Sequence, residues 1–389
     1  MTYQTELIIL LLLLLFRVGP NALLQSSPDV FEWNYPACWE TSNLKAAAFV
    51  QPHHPNSSSN YDKMIVVGDI HGNWNGLMEV LAHAGLIDTG SKLQCAWREK
   101  NGESVLLIQT GDVVDRGRFA TECFQCLQHL QATAEMFGHR VIRLLGNHEL
   151  LWLGAQYDYR NPDTDSLDKI NKLTMSVVDD ILRKQLLGSF YTEQFGGIPM
   201  LFTHAGLRKD MKSNILSRAI QGATTTTMTS DGKVVSEFVN DVLYRDILEC
   251  YNSRGYSANY KDKIRCGIFL TDVIYSVGKE RRGSSIGGVM WTDYHILEQE
   301  ANDNVTLWDF VQIVGHTLEK GKIRTTSKLK STCVDAGMLV GGRAYLSVSA
   351  QGRFHSFEKQ PAQQQQAAVF PTTTTNRWRK RDLTSLMCV

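Results

Sequence analysis

Three short segments of this sequence place acidic, amide and imidazole side chains directly after apolar runs. They are Gly68–Gly72 (GDIHG), Gly111–Gly117 (GDVVDRG) and Gly146–Glu149 (GNHE). An apolar run that stops at glycine is typical of a strand, so each set of side chains is expected at the carboxyl end of a strand. Donors of these types, gathered from several strand ends, can hold two metal ions side by side, and such pairs of ions hydrolyse phosphate esters.

Four residues of these segments have the chemistry of metal ligands. Asp69 and His71 lie two positions apart, so on an extended strand end they point the same way and can bind one ion. Asp112 follows the next strand, and its carboxylate is the natural bridge between two ions. Asn147 offers a neutral amide oxygen to the second ion.

Two further histidines are expected to complete the ligand set from later strand ends. His204 stands in Phe202–Gly206 (FTHAG) and His316 stands in Val314–Thr317 (VGHT), each after an apolar run. A mixture of imidazole, carboxylate and amide oxygen suits manganese, iron or zinc rather than calcium. The sequence therefore predicts two divalent ions held by Asp69, His71, Asp112, Asn147, His204 and His316.

Three polar residues beside these ligands are suited to phosphate binding and acid catalysis. Arg116 can place the fork of its guanidinium on phosphate oxygens. His148 adjoins Asn147 and can protonate the leaving oxygen, while Asp115 can hold that imidazole in its acid-competent orientation. The nucleophile would be a metal-bridged hydroxide, formed from water whose pKa the ions lower, that attacks in line with the leaving group.

Strands and helices alternate along the part of the sequence that must position these residues. Met64–Val67, Ser104–Gln109 and Arg140–Leu145 are apolar runs typical of strands. Between them, apolar residues recur at spacings of three and four from Trp74 and from Phe124, which predicts amphipathic helices. Repeated strand–turn–helix units predict an α/β fold whose sheets are covered by helices. Ligands in such folds bind beyond the carboxyl ends of the strands.

The five blocks GDIHG, GDVVDRG, GNHE, HAG and GHT, in this order, resemble those of the calcineurin-like metallophosphoesterases, and especially of the phosphoprotein phosphatases. The resemblance spans roughly residues 64–350 and implies a two-sheet sandwich flanked by helices, with a binuclear metal centre at strand C-terminal ends. It implies the same six ligands, with Arg116 and His148 acting on the phosphate. In detail, Leu144–Leu150, Tyr159–Arg160 and Val334–Gly337 are similar to segments of the Shewanella-like (bacterial-like) phosphatases.

A second phosphate-binding arginine is implied by the resemblance, but its position is open. The eukaryotic serine/threonine enzymes carry it near a Leu-Trp-Ser-Asp-Pro block, to which Met290–Tyr294 (MWTDY) is a partial match. Arg160, Arg281 and Arg282 are the candidates. We expect substrate phosphate to be bound by Arg116, Asn147, Arg160 and Arg282.

The N-terminal segment contains an apolar run from Leu7 to Phe16. This run is shorter than the roughly 20 apolar residues of a membrane span and fits a secretory signal peptide. We therefore expect residues 1–24 to be a signal peptide, or alternatively a membrane anchor, and the protein to be secretory, endomembrane or extracellular. Eight cysteines would permit disulfides there, although their pairing is not deducible. Cys123 and Cys126 are interpreted as ordinary thiols on a helix.

The remaining boundaries come from composition. Residues 25–60 are rich in proline, serine and asparagine and are expected to be a flexible lead-in, followed by a metallophosphoesterase domain at 61–352. Within it, residues 208–260 have few regular turn signals and are interpreted as an insertion that could cap the site. Residues 353–389 contain glutamine and threonine runs and are expected to be a disordered tail.

The leading hypothesis is a metal-dependent phosphomonoesterase that acts on phosphoproteins at serine, threonine or tyrosine. The alternative is a hydrolase of dinucleoside polyphosphates or an mRNA-decapping pyrophosphatase, because those enzymes share the GDxHG, GDxxDRG and GNHE blocks. A binding module without catalysis would have a broken ligand set, whereas all the ligands are present here. Basic and acidic residues are equal in number, at 40 each, so no basic surplus predicts a nucleic-acid partner. The N-terminal apolar segment could associate with a membrane.

Overall fold

The computed structural model describes residues 61–88, 95–98, 102–222, 230–253, 266–283, 287–303, 309–359 and 378–387. The expected signal peptide and lead-in, residues 1–60, lie outside the described residues. Within the ranges given, no helix has both the length and the apolar composition needed to cross a membrane. The described residues form two β-sheets with helices packed against them.

The strands and α-helices are numbered along the chain. The strands are β1 (Lys63–Val67), β2 (Val105–Gln109), β3 (Arg140–Leu144), β4 (Leu186–Leu187), β5 (Ser189–Thr192), β6 (Met200–Thr203), β7 (Val311–Val314), β8 (Arg324–Thr325), β9 (Ser331–Cys333), β10 (Ala344–Ser349), β11 (Phe354–Lys359) and β12 (Trp378–Asp382). The helices are α1 (Trp74–His83), α2 (Ala120–Thr133), α3 (Asn147–Leu153), α4 (Leu167–Leu182), α5 (Lys209–Gly222), α6 (Asp231–Ser253) and α7 (Tyr294–Asp303).

The first sheet brings the three motif segments to one edge. Its order is β12-β11-β10-β1-β2-β3-β4, and β1, β2 and β3 are parallel neighbours. Val67 pairs with Gln109 and Gln109 pairs with Arg143, so the ends of these three strands are in register. All of β2 is buried, as expected of a parallel strand covered on both faces. Because each strand ends at one motif, the three motif loops leave the same edge of the sheet.

The second sheet, ordered β5-β6-β7-β9-β8, carries the two later histidines. β6 and β7 are parallel; His204 directly follows β6, and His316 stands two residues after β7. Met64 of the first sheet shares one buried apolar cluster with Phe202 and Ile313 of the second. The two sheets therefore pack face to face, which confirms the predicted two-sheet sandwich flanked by helices.

Helix α1 is held at its start by a side chain next to the first motif. The Asn73 side chain accepts the backbone N–H of Gly76 at 2.9 Å, which caps the helix in the usual way. The other end of the same amide donates to the carbonyl of Met338 at 2.8 Å. This residue therefore ties the GDIHG turn both to its own helix and to the loop that follows β9.

The segment 208–260, interpreted as an insertion or cap, contains α5 and α6. Val239 of α6 and Leu201 of β6 belong to one buried apolar cluster. The side-chain oxygen of Asn240 accepts the backbone N–H groups of Gly188 and Ser189 at 2.8 and 3.1 Å. The described part of the segment thus covers the second sheet, and its role as a cap over the site stays a prediction.

The structure corrects the C-terminal boundary predicted at residue 352. Both β11 and β12 are strands of the first sheet, where the sequence composition led us to expect disorder. The buried residues of β11 alternate as Phe354, Ser356 and Glu358, a period-two pattern that the neighbouring low-complexity runs obscure. Strand β12 then pairs with β11, and its Arg381 lies 3.2 Å from Glu358. The glutamine and threonine runs of 360–377 lie outside the described residues.

Two disulfides cross-link the described residues. Cys95 pairs with Cys126, and Cys250 pairs with Cys266. The interpretation of Cys126 as an ordinary thiol is therefore wrong, whereas Cys123 is a free and buried thiol as expected. The Cys95–Cys126 disulfide joins residues 31 positions apart in sequence. The short spacing between Cys123 and Cys126 therefore gave no indication of this bond.

Asp180→Ala should lower the free energy of unfolding by about 3–5 kcal/mol, because it leaves a buried guanidinium without its counter-charge. Arg143 is 1% exposed, and its Nη2 lies 2.6 Å from Asp180 Oδ2. Urea unfolding followed by circular dichroism measures the change. The matched control in the same helix is Asp168→Ala, which breaks the solvent-exposed pair with Lys172 and should cost less than about 0.5 kcal/mol. Equal losses would contradict the prediction.

Candidate metal centre and active site

The six predicted metal ligands all lie at the carboxyl ends of parallel strands and face one another. Those of the first sheet follow β1, β2 and β3, and the two histidines follow β6 and β7. Although they are polar, all six are at least nine-tenths buried. The structure therefore brings together the complete predicted set, Asp69, His71, Asp112, Asn147, His204 and His316.

The donor atoms fall into two groups that share Asp112. One group contains His71, Asp112 and His148, and the other contains Asp112, His204 and His316. Within each group the donor atoms lie within 4.8 Å of one another. The Oδ2 atom of Asp112 is 3.6 Å from His71 Nε2, and its Oδ1 atom is 3.5 Å from His204 Nε2. One carboxylate oxygen faces each group, which is the arrangement that a bridging ligand needs.

Asn147 and Asp69 complete the two groups. The side-chain oxygen of Asn147 lies 2.8 Å from His204 Nε2 and 2.8 Å from His316 Nδ1. The Oδ2 atom of Asp69 lies 3.9 Å from His71 Nε2, while its Oδ1 atom accepts the backbone N–H of His316 at 3.0 Å. Asp69 thus stands beside His71, as grouped on the basis of sequence, and Asn147 stands beside the two later histidines, which the sequence left unassigned to either ion.

The electrostatics of this cluster favours the binding of cations. Burial lowers the pKa of His71 to about 3, so its imidazole is neutral at physiological pH and has a lone pair to give. Burial, together with the nearby Asp335 carboxylate, raises the pKa of Asp69 well above its usual range. The Nε2 atom of His316 is buried and has no hydrogen-bond partner in the described part of the chain. Buried carboxyl groups this close together, and a buried nitrogen without a partner, cost free energy unless cations bind them. The nitrogen and oxygen donors of this set fit manganese, iron or zinc.

Binding of a divalent ion should tighten as the pH rises from about 6 to about 8, because His204 must lose a proton to bind it. Burial opposes the charge on His204, but the Asp112 carboxylate raises its pKa to about 10. The Nδ1 atom lies 2.8 Å from the carbonyl of Thr110, so Nε2 is the atom that gives up its proton. One proton released predicts about a tenfold gain in affinity per pH unit. Calorimetric titration with Zn²⁺ measures this slope, and an affinity independent of pH would contradict it.

The predicted acid and its orienting carboxylate are in direct contact. His148 Nδ1 lies 2.7 Å from Asp115 Oδ2, and both residues are buried. The guanidinium of Arg116 places Nη2 2.9 Å from His148 Nε2 and Nη1 2.8 Å from His71 Nε2. Because a guanidinium can only donate, both Nε2 atoms accept here and both Nδ1 atoms carry the proton. This tautomer of His148 is the one that donates to the Asp115 carboxylate.

Several backbone positions around the ligands are strained, and the buried carboxylate of Glu149 holds the backbone of their loops by hydrogen bonds. His71, Asp112, Asp115, Arg116 and His316 all have positive φ values, between 49° and 68°, a conformation that concentrates at functional sites. Three N–H groups of the loop after β2 and one of the loop after β3 donate to a single side chain. The donors are Asp112 and Gly146 to Oε2, and Val113 and Val114 to Oε1, of Glu149.

Two acidic residues of this site were not assigned a role from sequence. Glu149 is the last residue of the GNHE block, and its place two residues after the predicted ligand Asn147 was the available signal. Asp335 is buried near the first group, and burial raises its pKa to about 6. Its charge is among the causes that raise the pKa of Asp69, so it belongs to the electrostatics of the metal centre.

The predicted second phosphate arginine is not placed at the cluster by any described contact. Among the described residues, the side chains of Arg160 and Arg282 form no hydrogen bond or ion pair with the six ligands. The charge of Arg281 instead helps to lower the pKa of His316, after burial and the charge of His204. Because of this effect on His316, Arg281 is the arginine of this loop that lies within electrostatic reach of the ligands. Its guanidinium pairs with Asp293.

Comparisons with known proteins agree with this geometry. The family model described as calcineurin-like phosphoesterase matches residues 63–263, just over half of the chain. Over 100 residues the chain is 40% identical to Shewanella-like protein phosphatase 1 of Plasmodium berghei (strain Anka). The matched segment covers 26% of each chain. Over 98 residues it is 31% identical to Shewanella-like protein phosphatase 2 of Arabidopsis thaliana, covering 25% of this chain and 23% of the other.

The matches to these curated relatives therefore span about a quarter of their lengths. A solved structure similar to this one is that of the cold-active protein-tyrosine phosphatase of a psychrophile Shewanella species. It is 18% identical, has a TM-score of 0.49, and the match covers 76% of this chain and 77% of that chain.

Proposed function

Because the chain belongs to the calcineurin-like phosphoesterase family, we propose that it hydrolyses phosphomonoesters of proteins with the help of two divalent ions. The observation that carries this proposal is the buried Asp112 carboxylate, with one oxygen toward each of two groups of metal-ligating donors. The segment that is 40% identical to a protein named as a protein phosphatase supports a protein substrate.

Each residue of the site has a separate part in this reaction. The ions would be held by the six ligands and, when bound, would activate a water molecule and polarise the phosphate. Arg116 lies between His71 and His148 of the first group and can fork onto the phosphate oxygens that the ions leave free. To act as the acid, His148 takes a second proton, at Nε2, when Arg116 turns from it to the phosphate; it then gives that proton to the leaving oxygen, while Asp115 keeps the Nδ1 proton in place.

One exposed aromatic residue faces the side of the site where the leaving group departs. Tyr159 is 54% exposed, and its ring centroid lies 5.2 Å from that of His148 with the planes at 71°. An acid must come within hydrogen-bond distance of the leaving oxygen, so a side chain this close to His148 contacts the leaving alcohol. An aromatic ring there suits a phosphorylated side chain of a peptide, whether serine, threonine or tyrosine.

Hydrolysis of p-nitrophenyl phosphate by the full chain, in the presence of Mn²⁺, Fe²⁺ or Zn²⁺, is the first test of this function. Rates on phosphoserine, phosphothreonine and phosphotyrosine peptides are then compared with those on diadenosine tetraphosphate. We expect metal-dependent turnover with peptides faster than the dinucleotide. Faster cleavage of the dinucleotide would assign the chain to the alternative class, and elemental analysis of the active protein identifies its metals.

We also propose that the protein acts in the secretory route or outside the cell. Two disulfides among the described residues support this compartment, because disulfides persist in oxidising environments and are rare in the cytosol. Mass spectrometry of the protein from its native cells, alkylated before reduction, reports the state of Cys95 and Cys250. Both residues as free thiols would contradict the proposal.

A further inference from the structure

A tryptophan outside the predicted site contacts the residue that orients the acid. Trp152 lies on α3, four residues after His148, and is 1% exposed. Its indole Nε1 donates a hydrogen bond to Asp115 Oδ1 at 2.6 Å. The other oxygen of that carboxylate, Oδ2, is the one that lies 2.7 Å from His148 Nδ1.

The two contacts together fix the plane of the Asp115 carboxylate. This side chain is fully buried, so each of its oxygens needs a donor from the protein, and bonds to an ionised acceptor are the stronger ones. With one oxygen held by the indole, the other cannot rotate away from the imidazole. Residues four apart lie on one face of a helix, so α3 presents the acid and this indole to the same carboxylate.

We infer that Trp152 is a positioning residue for acid catalysis: its indole N–H holds Asp115, so that His148 keeps its Nδ1 proton and the orientation from which a proton on Nε2 reaches the leaving oxygen. The inference rests on the proposed function. His148 reacts as the imidazolium, with a proton on Nδ1 toward Asp115 and a second proton on Nε2 in place of the contact with Arg116. As the bond from phosphorus to the leaving oxygen breaks, that oxygen takes the bonding pair and the Nε2 proton, which leaves a neutral imidazole. The Nδ1 proton stays between His148 and Asp115, and solvent later restores the proton on Nε2.

Dependence on the leaving group separates this role from a merely structural one. A strongly acidic alcohol departs without a proton, whereas a weakly acidic alcohol needs one from the general acid. Loss of the indole N–H should therefore slow esters with poor leaving groups and spare those with good ones. A loss of folded or metal-loaded protein would lower both rates by the same factor.

The experiment compares Trp152→Phe with the wild-type full chain on phenyl phosphate and 2,4-dinitrophenyl phosphate, with metal content measured in each sample. We expect kcat for phenyl phosphate to fall about 10- to 100-fold, kcat for the dinitrophenyl ester to change less than about twofold, and metal content to stay unchanged. The matched control is Trp97→Phe, which also removes a buried indole N–H, here bonded to the Leu130 carbonyl at 3.0 Å. It should leave the ratio of the two rates at the wild-type value.

Equal losses on both esters, or no loss on either, would overturn the inference. If Trp152→Phe does not fold, benzothienylalanine incorporated at position 152 keeps the two-ring shape and lacks the N–H, and the same change in the rate ratio is expected. A wild-type chain that hydrolyses neither ester would instead refute the proposed function, and the inference with it. An active wild type with an unaltered rate ratio in the variant refutes the inference alone.

Discussion

Replacing Asp112 by asparagine should lower kcat on p-nitrophenyl phosphate by on the order of a thousandfold or more. The carboxylate has one oxygen 3.6 Å from His71 Nε2 and the other 3.5 Å from His204 Nε2. An asparagine keeps one neutral oxygen and turns an N–H₂ group toward the other set of ligands, so the bridge is lost. Steady-state kinetics and metal analysis measure the effect, and we expect about one tightly held ion per chain where the wild type holds two.

The fold should survive this change, which makes the test specific. Asp112 Oδ1 accepts the backbone N–H of His148 at 2.9 Å, and the asparagine oxygen can accept the same bond. Asp168→Asn, on the exposed side of α4, is the matched control and should keep wild-type turnover. Normal turnover together with normal metal content in Asp112→Asn would exclude the bridging mechanism.

Local pattern was sufficient to predict which six side chains come together, because the geometry that unites them is itself regular. Each of the six follows an apolar run, and parallel strands in register place their carboxyl ends at one edge, as Val67, Gln109 and Arg143 show. Their assignment as metal ligands rests on donor chemistry and stays a prediction. No knowledge of loop conformation was needed to predict that they meet.

Contacts made by loops and by distant side chains were not predictable in the same way. Trp152 looks like an ordinary apolar helix residue in the sequence, and only the fold shows that its N–H reaches Asp115. Likewise, only the fold shows that Arg281 pairs with Asp293, whereas Arg282 stands at a left-handed position with φ of 65°. Such details depend on tertiary packing, which spacing along the chain does not encode.

The C-terminal strand β12 shows why amino-acid composition wrongly predicted disorder after residue 352. Strand β12 gains its partners from outside its own segment: it pairs with β11, and Trp378 stacks on His83 with ring centroids 3.9 Å apart. The stability of a strand depends on its neighbours in the sheet more than on its own residues. A basic segment that follows low-complexity runs therefore has no local signal that distinguishes an edge strand from a solvated tail.

His148→Asn should lower kcat on phenyl phosphate by about 10²- to 10⁴-fold, the range for loss of a general acid, and leave metal content near that of the wild type. The opposing interpretation is that His148 is a ligand, since its Nε2 lies 3.9 Å from Asp112 Oδ2 in the first donor group. We favour the acid because Nδ1 contacts Asp115 and Nε2 is the only nitrogen left to face Arg116 and the phosphate. His129→Asn, at an exposed position of α2, is the control. Metal lost in proportion to turnover would make His148 a ligand, and the proton for the leaving oxygen would then have to come from another group.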